Sequence, residues 1–175
     1  MRKVAADLLE AVPKIGKIPI YINLKEWRAS SEWTIEVPPT DRDLLDFVKE
    51  RISAIDLFAA HFASLYFDRL LQDGRLFFSF DSFDEIPAVL DVSESSWLIS
   101  RLSEVLIRFL SVSANAQGII ASRLYRRPRL EGINICQLQI RPFTDYQIKN
   151  ALVVQFKRMV PDNVSNRIAI ERSGS

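Results

Sequence analysis

The sequence lacks the features that would place the protein in a membrane, outside the cell or on a nucleic acid. Its only cysteine is Cys136, so an internal disulfide is excluded and a reducing, cytoplasmic location is favoured. No apolar run approaches the ~20 residues of a membrane-spanning helix, and the first residues lack the pattern of a signal peptide. The net charge of +1 gives no overall attraction to nucleic acid or to an anionic membrane. We therefore expect a cytoplasmic protein that binds neither.

The composition is that of a folded domain. Hydrophobic residues make up 48% of the chain and charged residues 26%, which argues against disorder. Short apolar runs typical of buried strands occur at residues 18–24, 75–80, 117–122 and 133–140. Helical spacing of apolar residues occurs at residues 4–12, 41–55, 58–70, 96–109 and 144–159, and Thr144 with Gln147 forms a capping box before the last of these helices. This alternation predicts an α/β fold, a parallel sheet with helices on both faces.

Three acidic residues, Asp81, Asp84 and Glu85, directly follow the predicted strand at residues 75–80. Ligands of parallel sheets bind beyond the carboxyl ends of the strands, and Arg123 follows the next predicted strand at that same edge. Carboxylates held this close repel one another unless a cation such as Mg²⁺ lies between them. A plainer interpretation is an acidic surface turn in which Asp84 or Glu85 caps the next helix. The segment alone favours neither interpretation.

Four segments resemble parts of the nucleotide-binding core of NACHT domains, a family of P-loop NTPases. Residues 75–87 resemble the extended Walker B segment, an apolar strand that ends in Asp, a small residue, any residue and then Asp-Glu; Ser82 occupies the usual glycine position. Residues 18–24 are similar to the strand after the first helix of the family, and residues 118–123 to its sensor strand. Residues 138–148 are similar to the segment that joins the core to the next helical domain.

The resemblance implies a three-layer P-loop NTPase-like fold and a role for each polar residue at the sheet edge. Asp81 would direct Mg²⁺, Asp84 and Glu85 would position and activate the attacking water with Glu85 as the base, and Arg123 would contact the γ-phosphate of ATP. Ala121 replaces the threonine that usually precedes the Ser-Arg pair, so one hydroxyl contact of the sensor is missing.

Other charged or reactive side chains are interpreted as structural. Arg126, Arg127 and Arg129 follow the sensor-like strand and are assigned to a solvated loop rather than to phosphate binding. His61 lies among apolar residues of a predicted helix and is expected to be structural. Cys136 lies within the predicted fourth strand and is expected in the core.

The sequence lacks the phosphate-binding loop that the family requires, because no GxxxxGK[ST] sequence occurs in it. We expect that Met1 is an internal methionine of a longer protein. Residues 1–160 would then form a partial NACHT core, and residues 161–175 the start of a following helical region or a disordered tail. The first, Walker A, strand would be missing from the sheet, which would leave a gap or a rearranged strand pairing and a fragment of marginal stability.

These expectations lead to two functions of different classes. The first is part of an ATP-binding regulatory NTPase of the NACHT signalling type, which uses Mg²⁺, self-associates in its full-length form and acts in innate immunity or antiphage defence; this chain alone would be inactive. The alternative is a non-catalytic, truncated or degenerate module that acts as an interaction or oligomerisation scaffold. An unrelated Mg²⁺-dependent hydrolase would need a nucleophile and a second acidic strand end, and the sequence shows neither.

Overall fold

The computed structural model describes residues 16–28, 33–93, 96–111, 117–129 and 136–159, which fall into two compact units divided between residues 133 and 134. The first unit contains the strands β1 (Ile18–Asn23), β2 (Leu76–Asp81) and β3 (Gln117–Ile120). Its helices are α1 (Asp41–Ser53), α2 (Leu57–Leu65), α3 (Phe67–Gln72), α4 (Pro87–Leu90) and α5 (Trp97–Leu110). The second unit contains α6 (Asp145–Met159). The predicted helix at residues 4–12 and the predicted tail at 161–175 lie outside the described residues.

The strands form a parallel sheet in the order β1-β2-β3, which confirms the predicted α/β class. Ile22 pairs with Phe80 in the register, and Phe80 pairs with Ile120 on its other side. Backbone bonds continue past the end of β3: the N–H of Ala121 donates to the carbonyl oxygen of Phe80 at 2.8 Å, and that of Phe83 donates to Ala121 at 3.1 Å. The carboxyl ends of β2 and β3 are therefore held side by side.

The core of the first unit is built on one face of this sheet. Phe78 and Phe80 are fully buried, their rings stack 5.5 Å apart, and both contact Phe109 of α5. The predicted inward face of α5 is confirmed, since its apolar residues are buried: Leu98, Leu102, Val105, Leu106 and Phe109. On the opposite face of the sheet Tyr21 of β1 is only half-buried, so β1 is not fully buried on both faces as predicted. Ile119 of β3 is exposed on that same face.

The helix predicted at residues 58–70 is instead two helices, α2 and α3, which meet at Tyr66. Tyr66 has φ −120° and ψ −24°, outside the helical region, so the chain changes direction there. As a result Phe67 enters the core, whereas Phe58 and Leu65 are 84% and 67% exposed. The predicted apolar face is therefore only partly correct: Phe62 and Leu70 pack against the core, but a single helical period cannot describe two helices with different directions.

The predicted fourth strand at residues 133–140 is wrong for its described part, residues 136–140, which form no strand. Leu138 and Ile140 are almost fully exposed, and Cys136 is exposed rather than in the core. An apolar run is stable as a strand only when a neighbouring strand satisfies its backbone groups, and the described residues provide no such neighbour here.

Helix α6 begins at the predicted capping box. The N–H of Gln147 donates to Oγ1 of Thr144 at 3.3 Å, and the N–H of Thr144 donates to Oε1 of Gln147 at 2.9 Å. The box satisfies donors that an uncapped helix would leave unpaired. Every helix in the described part of the chain is too short or too polar to cross a bilayer.

Candidate functional site

The site is formed where the chain leaves β2 and turns sharply. Ser82 adopts the left-handed conformation, with φ 63° and ψ 45°, which an L-residue with a Cβ atom reaches at a cost of about 1–2 kcal/mol. Phe83 is fully buried and anchors the short 3₁₀ turn Phe83–Glu85 that follows. The strained position is the one at which the Walker B resemblance expects glycine.

Asp81, the last residue of β2, is bonded from the neighbouring strand. The hydroxyl of Tyr21 in β1 donates to Oδ2 of Asp81 at 3.0 Å. In the register Tyr21 pairs with Ser79 and Asn23 pairs with Asp81, so Tyr21 and Asp81 are diagonal neighbours on one face of the sheet. This contact fixes one carboxylate oxygen of Asp81.

Asp84 holds the ends of β2 and β3 together. It is 9% exposed, and its Oδ1 accepts a hydrogen bond of 3.0 Å from the backbone N–H of Arg123. The Ser122 hydroxyl lies 3.3 Å from the same oxygen and 3.0 Å from the carbonyl oxygen of Arg123, and its single hydrogen serves one of them at a time. A largely buried carboxylate with these partners is suited to fixing the backbone of the β3 loop.

Glu85 forms an ion pair with the side chain of Arg123. The Nη2 atom of Arg123 lies 2.7 Å from Oε1 of Glu85, and its Nε atom lies 3.7 Å from Oδ2 of Asp84. The Arg123 side chain is 77% exposed, so solvent screens the pair and its contribution to stability is at most about 1 kcal/mol. The guanidinium group can therefore leave Glu85 for another anion at little cost.

The structure brings Asp84 and Glu85, which follow β2, into direct contact with Arg123, which follows β3. Asp81 is the last residue of β2. Asp84 and Glu85 share the positive charge of Arg123, and Asp81 accepts a hydrogen bond from the neutral Tyr21 hydroxyl. The alternative of helix capping is wrong, since the N-cap of α4 is Ile86 and no side chain caps it. The acidic turn is thus bonded to β1 and to the loop after β3.

The described residues do not supply a complete set of ligands for Mg²⁺, but one carboxylate of the site could contact an Mg²⁺ ion that is bound to a nucleotide. In the described part of the chain, no group of three His, Cys, Asp or Glu residues is placed to hold a metal ion. Mg²⁺ that accompanies a nucleotide needs only one or two carboxylates, because phosphates and waters supply its other ligands. Asp81 meets this requirement through Oδ1, since its Oδ2 is bonded by Tyr21.

The loop after Arg123 is anchored by two of its arginines. Nε of Arg126 donates to the carbonyl oxygen of Val92 at 3.1 Å, and its guanidinium lies 4.7 Å from the centre of the Tyr125 ring. The Arg129 side chain donates to Oγ of Ser100 on α5 at 3.0 Å. Arg127 and Arg129 are exposed and Arg126 is half-buried, in keeping with the expected solvated loop, although two of these arginines also have protein partners.

A cleft of about 1240 Å³ lies beside the Glu85–Arg123 pair. Both residues line it, together with the buried Trp27, the half-buried Trp33 and the start of α4 at Pro87. Its walls carry charges of both signs, among them Lys25, Glu26, Arg28, Asp43, Asp46, Glu50 and Arg51. The cleft leaves the ion pair accessible to a ligand from solvent.

Sequence reasoning missed two polar residues on the face of the sheet that carries Asp81. Tyr21 lies in the apolar run at residues 18–24 and Ser79 in the run at residues 75–80, and these patterns predict only buried strands. Ser79 is fully buried, and its Oγ has no hydrogen-bond partner. The sequence does show one polar residue within each of these two otherwise apolar strands. It does not show the strand register that brings Tyr21 to Asp81.

Comparison with known proteins gives no independent assignment. No protein-family model matches the chain, and neither a curated protein nor a solved structure is significantly similar to it. A function must therefore be argued from the residues at the carboxyl ends of β2 and β3.

Proposed function

We propose that this chain is the Walker B and sensor part of a NACHT-type regulatory NTPase, in which the ends of β2 and β3 meet the Mg²⁺ ion and γ-phosphate of ATP. The observation that supports the proposal most is the direct contact between Glu85 and Arg123. These residues are distant in sequence, and the parallel order of β2 and β3 brings them to the edge where ligands of such sheets bind.

The proposal gives the four residues different tasks. Asp81 directs the hydrated Mg²⁺ ion, which neutralises charge on the phosphates when it is bound. Glu85 accepts a proton from the attacking water, and Arg123 binds a γ-phosphate oxygen with its guanidinium group. Asp84 is largely buried and bonded to the Arg123 backbone, so it holds the sensor loop in place rather than acting on water.

The proposal also explains why β3, at one edge of the described sheet, is exposed. Gln117, Gly118 and Ile119 of β3 are exposed, although all-parallel sheets are normally buried. A strand that leads into a phosphate-binding loop would cover this side and bring the backbone N–H groups and the lysine that this chain lacks. The chain alone is therefore expected to bind nucleotide weakly or not at all.

Isothermal titration with Mg-ATP tests the proposal on two proteins. One is this chain, and the other is the chain with a strand, a GxxxxGK[ST] loop and its helix fused ahead of residue 1. We expect micromolar affinity in the fused protein and none measurable in the chain alone. The Asp81→Asn variant of the fused protein should lose the Mg²⁺ dependence of binding and keep its fold.

The matched control is the fused protein with the loop lysine changed to alanine, which should lose ATP affinity without any change in the sheet. If the folded fused protein fails to bind Mg-ATP, the assignment of β2 and β3 to a nucleotide site is wrong. If the chain alone binds with micromolar affinity, the phosphate cradle must be built from residues other than those proposed.

The second candidate function is a non-catalytic interaction scaffold, and the second unit favours it. Helix α6 exposes Leu152, Val153 and Val154, and the segment before it exposes Leu138 and Ile140. Exposed apolar surface of this kind can mark contacts with other proteins when it is contiguous. Light scattering of the chain over a range of concentrations tests this function. Self-association that the Leu152→Glu variant abolishes would favour the scaffold, if the fused protein also failed to bind ATP.

A further inference from the structure

Tyr21 and Ser79 form a polar strip with Asp81 on one face of an otherwise apolar part of the sheet. Tyr21 and Ser79 are paired in the register, and Asp81 is the next residue along β2 on that face. Apolar side chains at these positions would pack on the sheet without any polar group to satisfy. Stability alone therefore does not explain why polar side chains occupy these positions.

The contact from Tyr21 reduces the freedom of the Asp81 carboxylate. A carboxylate at a strand end can rotate about two side-chain bonds, and the Tyr21 hydroxyl, 3.0 Å from Oδ2, favours one orientation. No other hydrogen bond or ion pair holds Asp81 in the described part of the chain, so Oδ1 is the oxygen that remains for a ligand. Residues that orient a ligating carboxylate in this way are common around metal ions.

We propose that Tyr21 is a positioning residue for the Asp81 carboxylate, and that its hydroxyl presents Oδ1 of Asp81 to a hydrated divalent cation. This inference rests on the proposed function, because the cation is the Mg²⁺ ion that accompanies ATP. Tyr21 does not touch the ion itself. Its effect on the ion is exerted through the bond to Oδ2.

The test is a titration of the ¹⁵N-labelled loop-fused protein, in its ATP-bound form, with Mn²⁺, a paramagnetic replacement for Mg²⁺, followed by NMR. A bound Mn²⁺ ion broadens the amide signals closest to it, so we expect the signals of Asp81 and Ser82 to broaden first. Losing a bond that orients a metal ligand typically lowers metal affinity by about 10–100-fold, and we expect Tyr21→Phe to lower the apparent Mn²⁺ affinity by about 10-fold. Asp81→Asn should abolish the local broadening.

Two controls separate positioning from a general effect on the fold. Tyr66→Phe removes a hydroxyl from an exposed tyrosine and should leave the Mn²⁺ titration unchanged. Adding Tyr21→Phe to Asp81→Asn should change nothing further, because the hydroxyl acts through that carboxylate. The amide shifts of β1 and β2 should stay close to those of the parent chain in all four variants, which a loss of structure would alter.

The outcomes distinguish this inference from the proposed function. If Asp81→Asn abolishes broadening but Tyr21→Phe leaves the affinity unchanged or raises it, the positioning role is overturned and the cation site stands. If Mn²⁺ broadens no signals near Asp81 in the ATP-bound parent protein, both the positioning role and the assignment of a cation to this strand end are overturned.

Discussion

The two outer strands of the sheet, as far as the structure describes it, differ in how their outer edges are protected. In β1 the N–H of Ile18 donates towards β2, to the carbonyl oxygen of Arg75 at 2.8 Å. Backbone groups alternate in direction along a strand, so the nitrogen of Pro19 faces the outer edge, where a proline leaves no donor unpaired. Ile20 and Ile22 on the packed face are buried. β1 therefore has the features of a strand that ends a sheet.

β3 has none of these features. Its residues Gln117–Ile120 include neither a proline nor a charged side chain, and the first three are exposed. Since the N–H of Ala121 donates towards β2, the backbone groups of Gly118 and Ile120 face the outer edge. Natural edge strands are usually blunted by charge, proline or a bulge. The candidate site therefore joins β2, which has a strand on each side, to β3, which has a neighbouring strand on one side only among the described residues.

The largest expected effect is the difference in the free energy of unfolding lost by a substitution in the core of β2 and by one on the surface of β3. Phe80→Ala removes a fully buried ring between Phe78 and Phe109 and should lower the free energy of unfolding by about 3–5 kcal/mol. Ile119→Ala removes a side chain that is 40% exposed and should cost less than about 1 kcal/mol. Urea unfolding measures both changes. Equal losses would contradict the proposed difference between the strands.

Gly118→Ala tests how closely β3 approaches its neighbours. A Cβ atom at this position would lie 2.7 Å from Cδ2 of Leu110 and 2.9 Å from the carbonyl oxygen of Phe78. Overpacking of this kind typically costs about 1–3 kcal/mol, and the backbone contact cannot be relieved by a side-chain rotation. The loss of stability should exceed that of Ile119→Ala, measured in the same urea series. A neutral Gly118→Ala variant would show that β3 can move away from β2 freely.

Asp84 and Glu85 should differ in their effect on stability. Asp84→Ala leaves the Arg123 N–H without its acceptor and should cost about 1–2 kcal/mol, because a largely buried hydrogen bond is lost. Glu85→Gln weakens an exposed ion pair and should cost less than about 0.5 kcal/mol. Hydrogen exchange of the Arg123 amide gives the local readout, and it should accelerate in the first variant alone. The reverse order would make Glu85 the structural residue.

The last of these effects is a small gain in stability rather than a loss. Ser82→Gly relieves the left-handed backbone conformation, and the greater freedom of glycine in the unfolded chain offsets part of that relief. We expect a net gain of about 0.5–1 kcal/mol in the free energy of unfolding. Ser82→Ala is the control and should give no gain, since alanine keeps the Cβ atom. A destabilised glycine variant would mean that the Ser82 side chain has a role the backbone does not reveal.

Much of the fold could be predicted because its signals are local. The apolar runs of β1, β2 and β3 lie where the strands lie, and the order of elements implied a parallel sheet. That rule also predicted that Arg123 would meet the acidic turn, since the carboxyl ends of neighbouring parallel strands share one edge. The capping box of α6 was predicted from Thr144 and Gln147 alone.

The errors concern features that depend on tertiary contacts. The apolar pattern at residues 133–140 does not show whether a partner strand exists, and Tyr66 carries no sequence signal for a change of direction. The bond from Tyr21 to Asp81 depends on the register of two strands far apart in sequence. The role of Asp84 depends on a backbone N–H that every non-proline residue has, so no residue type could reveal it.

The measurement that tests the central claim most directly compares ATP with ADP in the loop-fused protein carrying Arg123→Ala. If Arg123 binds the γ-phosphate, this variant should lose the preference for ATP, with little change in ADP affinity. Arg127→Ala, in the same loop and exposed, should keep the preference of the parent. An Arg123→Ala protein that still distinguishes ATP from ADP as well as its parent would contradict the account.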